Sequence, residues 1–182
     1  IKMREIKSMN KRKTIKIPKN GLRAAGDIVP NSFNPEDNTI EVVFSTGSKG
    51  KRGMFNPYFE ELSMKKSDVR LERINKGAPV LFNHVRGDDP SSIKGRAISG
   101  SIKNKHGIAT LKLSDREDNR GFVRDVESGV ITNISVGYVV HKYEDVTRKN
   151  DEFPTYRAVD WEPMEISFVD IPFDMDAQSR SL

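Results

Sequence analysis

The chain contains no cysteine, and this absence removes several kinds of chemistry at once. A protein without thiols has no disulfide bridge, no thiolate zinc site and no cysteine nucleophile, and the cell interior is its expected location. Long apolar runs are missing too, since none approaches the roughly 18 residues that a membrane-spanning helix needs. No charged and then apolar leader precedes a small-residue cleavage site, so no secretory signal is expected.

Aromatic residues are also scarce, at 8% of 182 residues, whereas charged residues make up 31% and the formal net charge is +5. Much of the positive excess lies in residues 1–13, where six lysines and arginines face a single acid. A basic segment can bind nucleic acid or an acidic partner, but a solvated terminus that aids solubility is the simpler interpretation. The aromatic residues are not interleaved with the basic clusters, as a stacking surface for nucleic acid would require.

The segments with strand character are short and numerous. Apolar alternation and β-branched residues predict strands at 39–45, 69–74, 78–84, 93–102, 107–114, 131–142, 155–161 and 164–169. A short helical turn is predicted at 57–64, and a helix at 115–129 with Ser114 or Asp115 as its N-cap and Gly129 at its end. This pattern indicates a β-rich α+β domain, either a barrel or a sandwich.

The chain divides into three parts by composition. Residues 1–22 are basic and aperiodic and are interpreted as a flexible arm. Residues 23–177 form the one predicted domain, and 178–182 are a short polar tail.

Ser135 lies in the middle of the strand predicted at 131–142. Because strand side chains alternate between faces, its hydroxyl shares a face with Asn133 and Gly137, and the glycine leaves space beside it. Such a serine can be a nucleophile at the floor of a cleft or an ordinary packed serine. The strand alone favours the packed serine.

A nucleophilic serine needs a neutral imidazole to take its proton and a carboxylate to orient that ring. Of the three histidines, His106 lies in a turn, and His141 is on the strand of Ser135, about 20 Å away at about 3.3 Å per residue. His84 is the last residue of a predicted strand, at the junction with a loop, where functional groups are often presented, so the fold can bring it to Ser135. Glu165 interrupts an apolar strand, and a buried carboxylate requires a partner.

Other interpretations remain open at this point. Asp160, Glu162 and Asp170 are rival acids, although they lie nearer to strand ends or loops. Neither residue requires a catalytic role. Glu165 can be a strand-edge glutamate whose hydrogen bonds are satisfied, and His84 can be a polar histidine at the end of a loop. A metal site is less favoured, because the histidines lack the short spacings of zinc sites, and we expect no metal and no cofactor.

Three blocks of sequence carry His84, Ser135 and Glu165. They are APVLFNH at 78–84 with IKGRA at 93–97, GVITNISVGY at 129–138, and WEPMEISFVDIP at 161–172 with Asp176-Ala177. Together they resemble the prohead maturation proteases of tailed phages, serine peptidases related in fold to the herpesvirus assemblins. The similarity extends from about Thr39 to Ala177. The chain departs from the family at Pro172-Phe173-Asp174, where Pro-Ala-Asn or Pro-Ala-Asp is usual, so no oxyanion donor is assigned.

The resemblance implies a fold and a reaction. The fold is a single domain built on a mostly antiparallel β-barrel with a few flanking helices, as in the assemblins. The reaction is that of a serine endopeptidase with an acyl-enzyme intermediate. Ser135 would be the nucleophile, His84 the general base and Glu165 the third member of the triad.

The resemblance also implies partners and a location. Expected substrates are a scaffold protein, the scaffolding segment of the major capsid protein and the protease itself, inside the assembling procapsid in the host cytoplasm. Homologues can be fused to the capsid protein, and assemblins act as dimers, so a homodimer is expected by analogy only. No membrane is expected and nucleic acid is not required. The alternative is a catalytically silent β-rich scaffold, or a nucleic-acid-binding module that uses the basic arm.

Overall fold

Strands account for most of the regular structure. The structure, a computed structural model, describes residues 22–53 and 56–171. Within these ranges the strands are β1 (Leu22–Ile28), β2 (Thr39–Ser45), β3 (Gly50–Arg52), β4 (Tyr58–Leu62), β5 (Pro79–Phe82), β6 (Gly95–Lys103), β7 (His106–Leu113), β8 (Asn133–Asp145) and β9 (Thr155–Val169). The helices there are α1 (Glu72–Asn75) and α2 (Arg120–Glu127), with 3-10 turns at Pro90–Ser92 and Glu117–Asn119.

Seven of these strands close into a barrel. The order around the ring is β9-β5-β6-β7-β2-β1-β8, and β8 pairs with β9 to complete it. Within the ring only β5 and β9 run parallel. Strands β4 and β3 extend the sheet outward from the first half of β9. The structure thus confirms the expected β-rich α+β fold built on a mostly antiparallel barrel.

Apolar side chains from alternate strand positions fill the barrel. Trp161 of β9 is 0% exposed and packs edge-on against Phe44 and Tyr138, with ring centroids 6.5 and 5.6 Å away. On α2, Phe122 packs against Phe168 of β9 at 5.2 Å. Because Phe168 pairs with the last residue of β5, α2 covers the region where the chain leaves that strand.

Two segments have a different kind of secondary structure from the one predicted. Within residues 57–64, Tyr58–Leu62 form the strand β4 instead of a helical turn, because β3 pairs with one side of this segment and β9 with the other. The strand predicted at 69–74 is a single bridge at Val69 followed by α1. Val69 and Ile74 are both buried there, so the apolar residues that suggested a strand reach the core from a bridge and a helical turn.

The two strands predicted on either side of Pro163 are the single strand β9. Proline has no N–H to donate and normally disfavours a central strand. Here Pro163 pairs with Tyr138 next to a register shift in the β8–β9 ladder. The irregularity accommodates the missing donor, so the strand continues through the proline.

The helix predicted at 115–129 is shorter than expected. It begins as the 3-10 turn and becomes α2 only at Arg120, and its N-cap is Asn119 rather than Ser114 or Asp115. The Asn119 side chain donates to the Ser114 and Lys94 carbonyls, which holds it away from the helix terminus. Gly129 follows the helix with a φ of 77°, as expected for a residue that ends one.

The boundaries of the domain fall mainly outside the described residues. Of the predicted arm at 1–22, only Leu22 is described, and it is already part of β1. The predicted tail at 178–182 lies outside the description altogether. Over residues 22–53 and 56–171, no helix has both the length and the apolar character needed to cross a membrane.

Candidate active site

A tight turn directly after β5 carries His84. The Val85 amide donates to the Phe82 carbonyl at 3.0 Å, and the two central residues, Asn83 and His84, have φ values of 51° and 59°. This is the pattern of a type I′ turn, which favours asparagine at the first central position and glycine at the second. A histidine at the second position costs backbone strain, which is common at functional sites.

The imidazole of His84 lies between Ser135 and Glu165. Its Nε2 is 2.9 Å from Ser135 Oγ, and its Nδ1 is 2.6 Å from Glu165 Oε1. An ionised carboxylate only accepts hydrogen bonds, so Nδ1 is assigned the hydrogen and Nε2 accepts from the serine hydroxyl. This order of serine, imidazole and carboxylate is that of a catalytic triad.

The sheet register brings the three groups together. Ser135 pairs with Ser167, and Gly137 pairs with Glu165, so Ser135 and Glu165 are diagonal neighbours on one face of β8 and β9. Strand β5 lies on the other side of β9, with Leu81 opposite Ser167. The turn that follows β5 therefore places the imidazole over β9, within reach of both side chains.

The carboxylate of Glu165 fills the space that Gly137 leaves. A Cβ built on Gly137 would lie only 2.1 Å from Glu165 Oε1. The φ of Gly137 is not positive, so the glycine is needed for space and not for backbone conformation. On the other oxygen, Oε2 accepts a hydrogen bond from Ser167 Oγ at 2.7 Å. Both carboxylate oxygens are therefore partnered, as a buried charge requires.

The site is buried. Ser135 is 0% exposed, and the side chains of His84 and Glu165 are 7% and 4% exposed. A pocket of about 340 Å³ lies beside them, and its lining includes His84, Gly137, Glu165 and two exposed arginines, Arg23 and Arg86, but not Ser135. A molecule in this pocket meets the imidazole and carboxylate side of the site first.

The other sequence candidates lie elsewhere. His106 is exposed at the start of β7, and His141 Nε2 lies 3.6 Å from a Glu162 carboxylate oxygen. Asp160 forms a two-point hydrogen bond with an arginine, and Asp170 accepts from the next backbone amide. Within the described ranges, none of these side chains forms a hydrogen bond or ion pair with Ser135 or His84. A second pocket, of about 370 Å³, lies at α1 and contains none of the three candidate residues.

A buried polar cluster that the sequence analysis missed lies behind the pocket. Glu60 of β4 is 2% exposed; it accepts from the Tyr138 hydroxyl at 2.7 Å and lies 3.3 Å from Arg52 Nε. Burial and the neighbouring Glu60 charge raise the pKa of Tyr138, so its phenol stays protonated. Arg52 also donates to the Tyr138 hydroxyl and to the Arg23 carbonyl. Since Tyr138 and Arg23 line the pocket, the cluster supports its wall.

Comparison with known proteins gives three findings. The major capsid protein of Halomonas phage phiHAP-1 is 25% identical over 115 residues, which are 63% of this chain and 19% of that protein. The capsid assembly protease gp21 of bacteriophage T4 superposes with a TM-score of 0.46 at 11% identity, covering 81% of this chain and 96% of that one. The profile of the caudovirus prohead serine protease family matches residues 41–181. Because that match covers well over half of the sequence, the chain belongs to the caudovirus prohead serine protease family.

Proposed function

We propose that this chain is a serine endopeptidase of phage procapsid maturation and that Ser135, His84 and Glu165 are its catalytic triad. The observation that carries the assignment is the pair of hydrogen bonds on the His84 ring, 2.9 Å to Ser135 Oγ and 2.6 Å to Glu165 Oε1. Family membership supports the protease reaction. The geometry supports the choice of residues, since each group has the partner that its role requires.

The proposed reaction has two halves. His84 Nε2 takes the hydroxyl proton as Ser135 Oγ attacks the scissile carbonyl carbon, and the imidazolium then gives that proton to the leaving amine. The product of this half is an acyl-enzyme. In the second half His84 removes a proton from water, and the water oxygen attacks the ester carbonyl carbon. The acyl–oxygen bond then breaks, the imidazolium returns its proton to Ser135 Oγ, and the acid product leaves. Glu165 holds the ring in the required tautomer and stabilises the imidazolium.

Access to the hydroxyl is part of the proposal. Ser135 has no exposed surface, whereas His84 and Glu165 border the pocket. A substrate carbonyl must come within contact distance of Oγ, so acylation requires the atoms that cover Ser135 to move. The described conformation is therefore proposed to be a resting state of the enzyme.

The proposed substrates are a scaffold protein, the scaffolding segment of the major capsid protein and the chain itself. The family description and the similarity to one part of a major capsid protein support a capsid-protein substrate. They also support a location inside the assembling procapsid, and so in the host cytoplasm. A homodimer remains a prediction, to be checked by light scattering on the purified protein.

The experiment that tests the proposal is co-expression with the phage's own major capsid protein, read out by intact mass. Wild-type protein is expected to yield shortened capsid protein, and both Ser135→Ala and His84→Ala are expected to leave it at full length. Ser99→Ala is the matched control, because Ser99 is an exposed serine of strand β6. Capsid protein that is still shortened by Ser135→Ala would refute the assignment, and absence of cleavage by wild type would favour the silent scaffold.

A further inference from the structure

The backbone of Asp170 joins the turn that carries His84 to the strand that carries Ser135. Asn83 Oδ1 accepts a hydrogen bond from the Asp170 amide at 3.1 Å, and Asn133 Nδ2 donates to the Asp170 carbonyl at 3.2 Å. Asn83 directly precedes His84, and Asn133 is two residues before Ser135. We call this pair of side chains on one backbone residue the asparagine clamp.

The clamp acts on a strained turn. Asn83 is attached to the end of β9 twice, since its backbone amide also donates to the Phe168 carbonyl at 2.8 Å. His84, the next residue, has a φ of 59°, a conformation that a histidine keeps only when its surroundings fix it. The hydrogen bond from Val85 to Phe82 closes the turn but does not determine how the turn is rotated relative to β8.

The rotation of this turn decides the distance between base and nucleophile. The imidazole Nε2 is on the side of the ring away from the backbone, so even a small rotation of the turn displaces it. Glu165 fixes Nδ1 at 2.6 Å, but one contact leaves the ring free to pivot about that nitrogen. The clamp supplies a second constraint, because it fixes the start of the turn and the start of β8 to the same backbone residue.

We propose that Asn83 and Asn133 are positioning residues that hold His84 Nε2 within hydrogen-bond distance of Ser135 Oγ through the backbone of Asp170. This inference rests on the proposed function and assigns two further residues to the same site. Neither asparagine touches the reacting atoms. Their loss should therefore lower kcat, which depends on the alignment of His84 and Ser135, and leave KM nearly unchanged.

The test uses a peptide that spans a capsid-protein cleavage site identified by mass spectrometry. Asn83→Gly keeps the freedom for a positive φ and deletes only the side-chain acceptor, so kcat is expected to fall about 10- to 100-fold. Asn83→Asp retains an oxygen acceptor and tolerates the same φ, and it is expected to restore kcat to within a few-fold of wild type.

The chain offers a matched control in the turn between β6 and β7. Asn104 and Lys105 form its two-residue loop with φ values of 51° and 63°, while Lys103 pairs with His106. Asn104→Gly makes the same substitution in the same kind of turn away from the site, and kcat is expected to stay at the wild-type level. A loss of kcat in both glycine variants, or in neither, would overturn the proposal that the asparagine clamp positions His84.

Asn133→Asp tests the other half of the clamp and serves if Asn83→Gly does not fold. It replaces the amide donor by a carboxylate that faces the Asp170 carbonyl oxygen, so kcat is expected to fall in the same direction. An unchanged kcat, or a change confined to KM, would overturn the inference. Cleavage that survives Ser135→Ala would instead overturn the proposed function, so the two failures are distinguishable.

Discussion

Replacing Gly137 by alanine would place a methyl group where the Glu165 carboxylate now lies. The new Cβ would be 2.1 Å from Oε1 and 2.9 Å from the carboxylate carbon, whereas real Cβ atoms essentially never show contacts under 3.0 Å. The difference between 3.0 and 2.1 Å means that Oε1 must retreat by about 0.9 Å. That oxygen is the one that His84 Nδ1 contacts at 2.6 Å. Since a misplacement of about 1 Å in a catalytic arrangement can cost about 10²-fold, kcat is expected to fall by about that factor.

The assay for Gly137→Ala is steady-state cleavage of the same capsid-derived peptide, with urea unfolding measured in parallel. Gly50→Ala is the matched control, because Gly50 is also a strand glycine and a Cβ there would meet nothing within 4 Å. Its kcat is expected to stay within a few-fold of wild type. A folded Gly137→Ala protein with wild-type kcat would refute the reasoning, since the carboxylate would then not need its present position.

Three further predictions concern charged groups. Glu165→Gln keeps the side-chain shape but removes the charge beside the imidazole, so kcat on the peptide is expected to fall by about 10²- to 10⁴-fold. Full activity would contradict the role of Glu165 as the partner of the His84 imidazole. Glu60→Gln weakens the buried contacts of this side chain with Arg52 and Tyr138. Urea denaturation is expected to show a loss of about 1–3 kcal/mol in the free energy of unfolding. An unchanged free energy of unfolding would mean that the cluster adds no stability. The hydrogen bond from Arg70 holds the pKa of Asp160 below its ordinary value of 3.8. The ionised Asp160 therefore contributes its full stabilisation of the fold above pH 3.8, and this contribution is lost as the pH falls through the lowered pKa of the folded protein. The difference in the free energy of unfolding between wild type and Asp160→Asn, measured in urea, is therefore expected to shrink on acidification. A difference that does not change with pH would contradict this prediction.

The barrel could be predicted from local sequence because most of its strands carry the signal themselves. Alternation and β-branching locate a strand such as β2 (Thr39–Ser45) without knowledge of its neighbours. Strand β4 carries no such signal, because its sequence YFEEL does not alternate between apolar and polar residues. Its pairing partner in β9 lies almost a hundred positions later in the chain. For the same reason Glu60 could not be recognised as buried, since its burial depends on a pairing that the local sequence does not encode.

The candidate site, like the barrel, could be predicted from the sequence only in part. Ser135, His84 and Glu165 could be proposed from chemistry and resemblance, and the structure places them in hydrogen-bond contact, while their catalytic roles stay predictions. The turn at His84 was not predicted, because its usual Asn-Gly signal is replaced by Asn83 followed by the histidine itself. The need for Gly137 appears only when the register sets it opposite Glu165.

The most direct test of the central claim is to map a covalent fluorophosphonate adduct on protein that is processing capsid protein. We expect one adduct per active chain, on the peptide that contains Ser135, and we expect His84→Ala to abolish it because the hydroxyl then loses its base. Loss of processing should follow the extent of modification. Complete inhibition with Ser135 unmodified, or equal labelling of His84→Ala and wild type, would contradict the account.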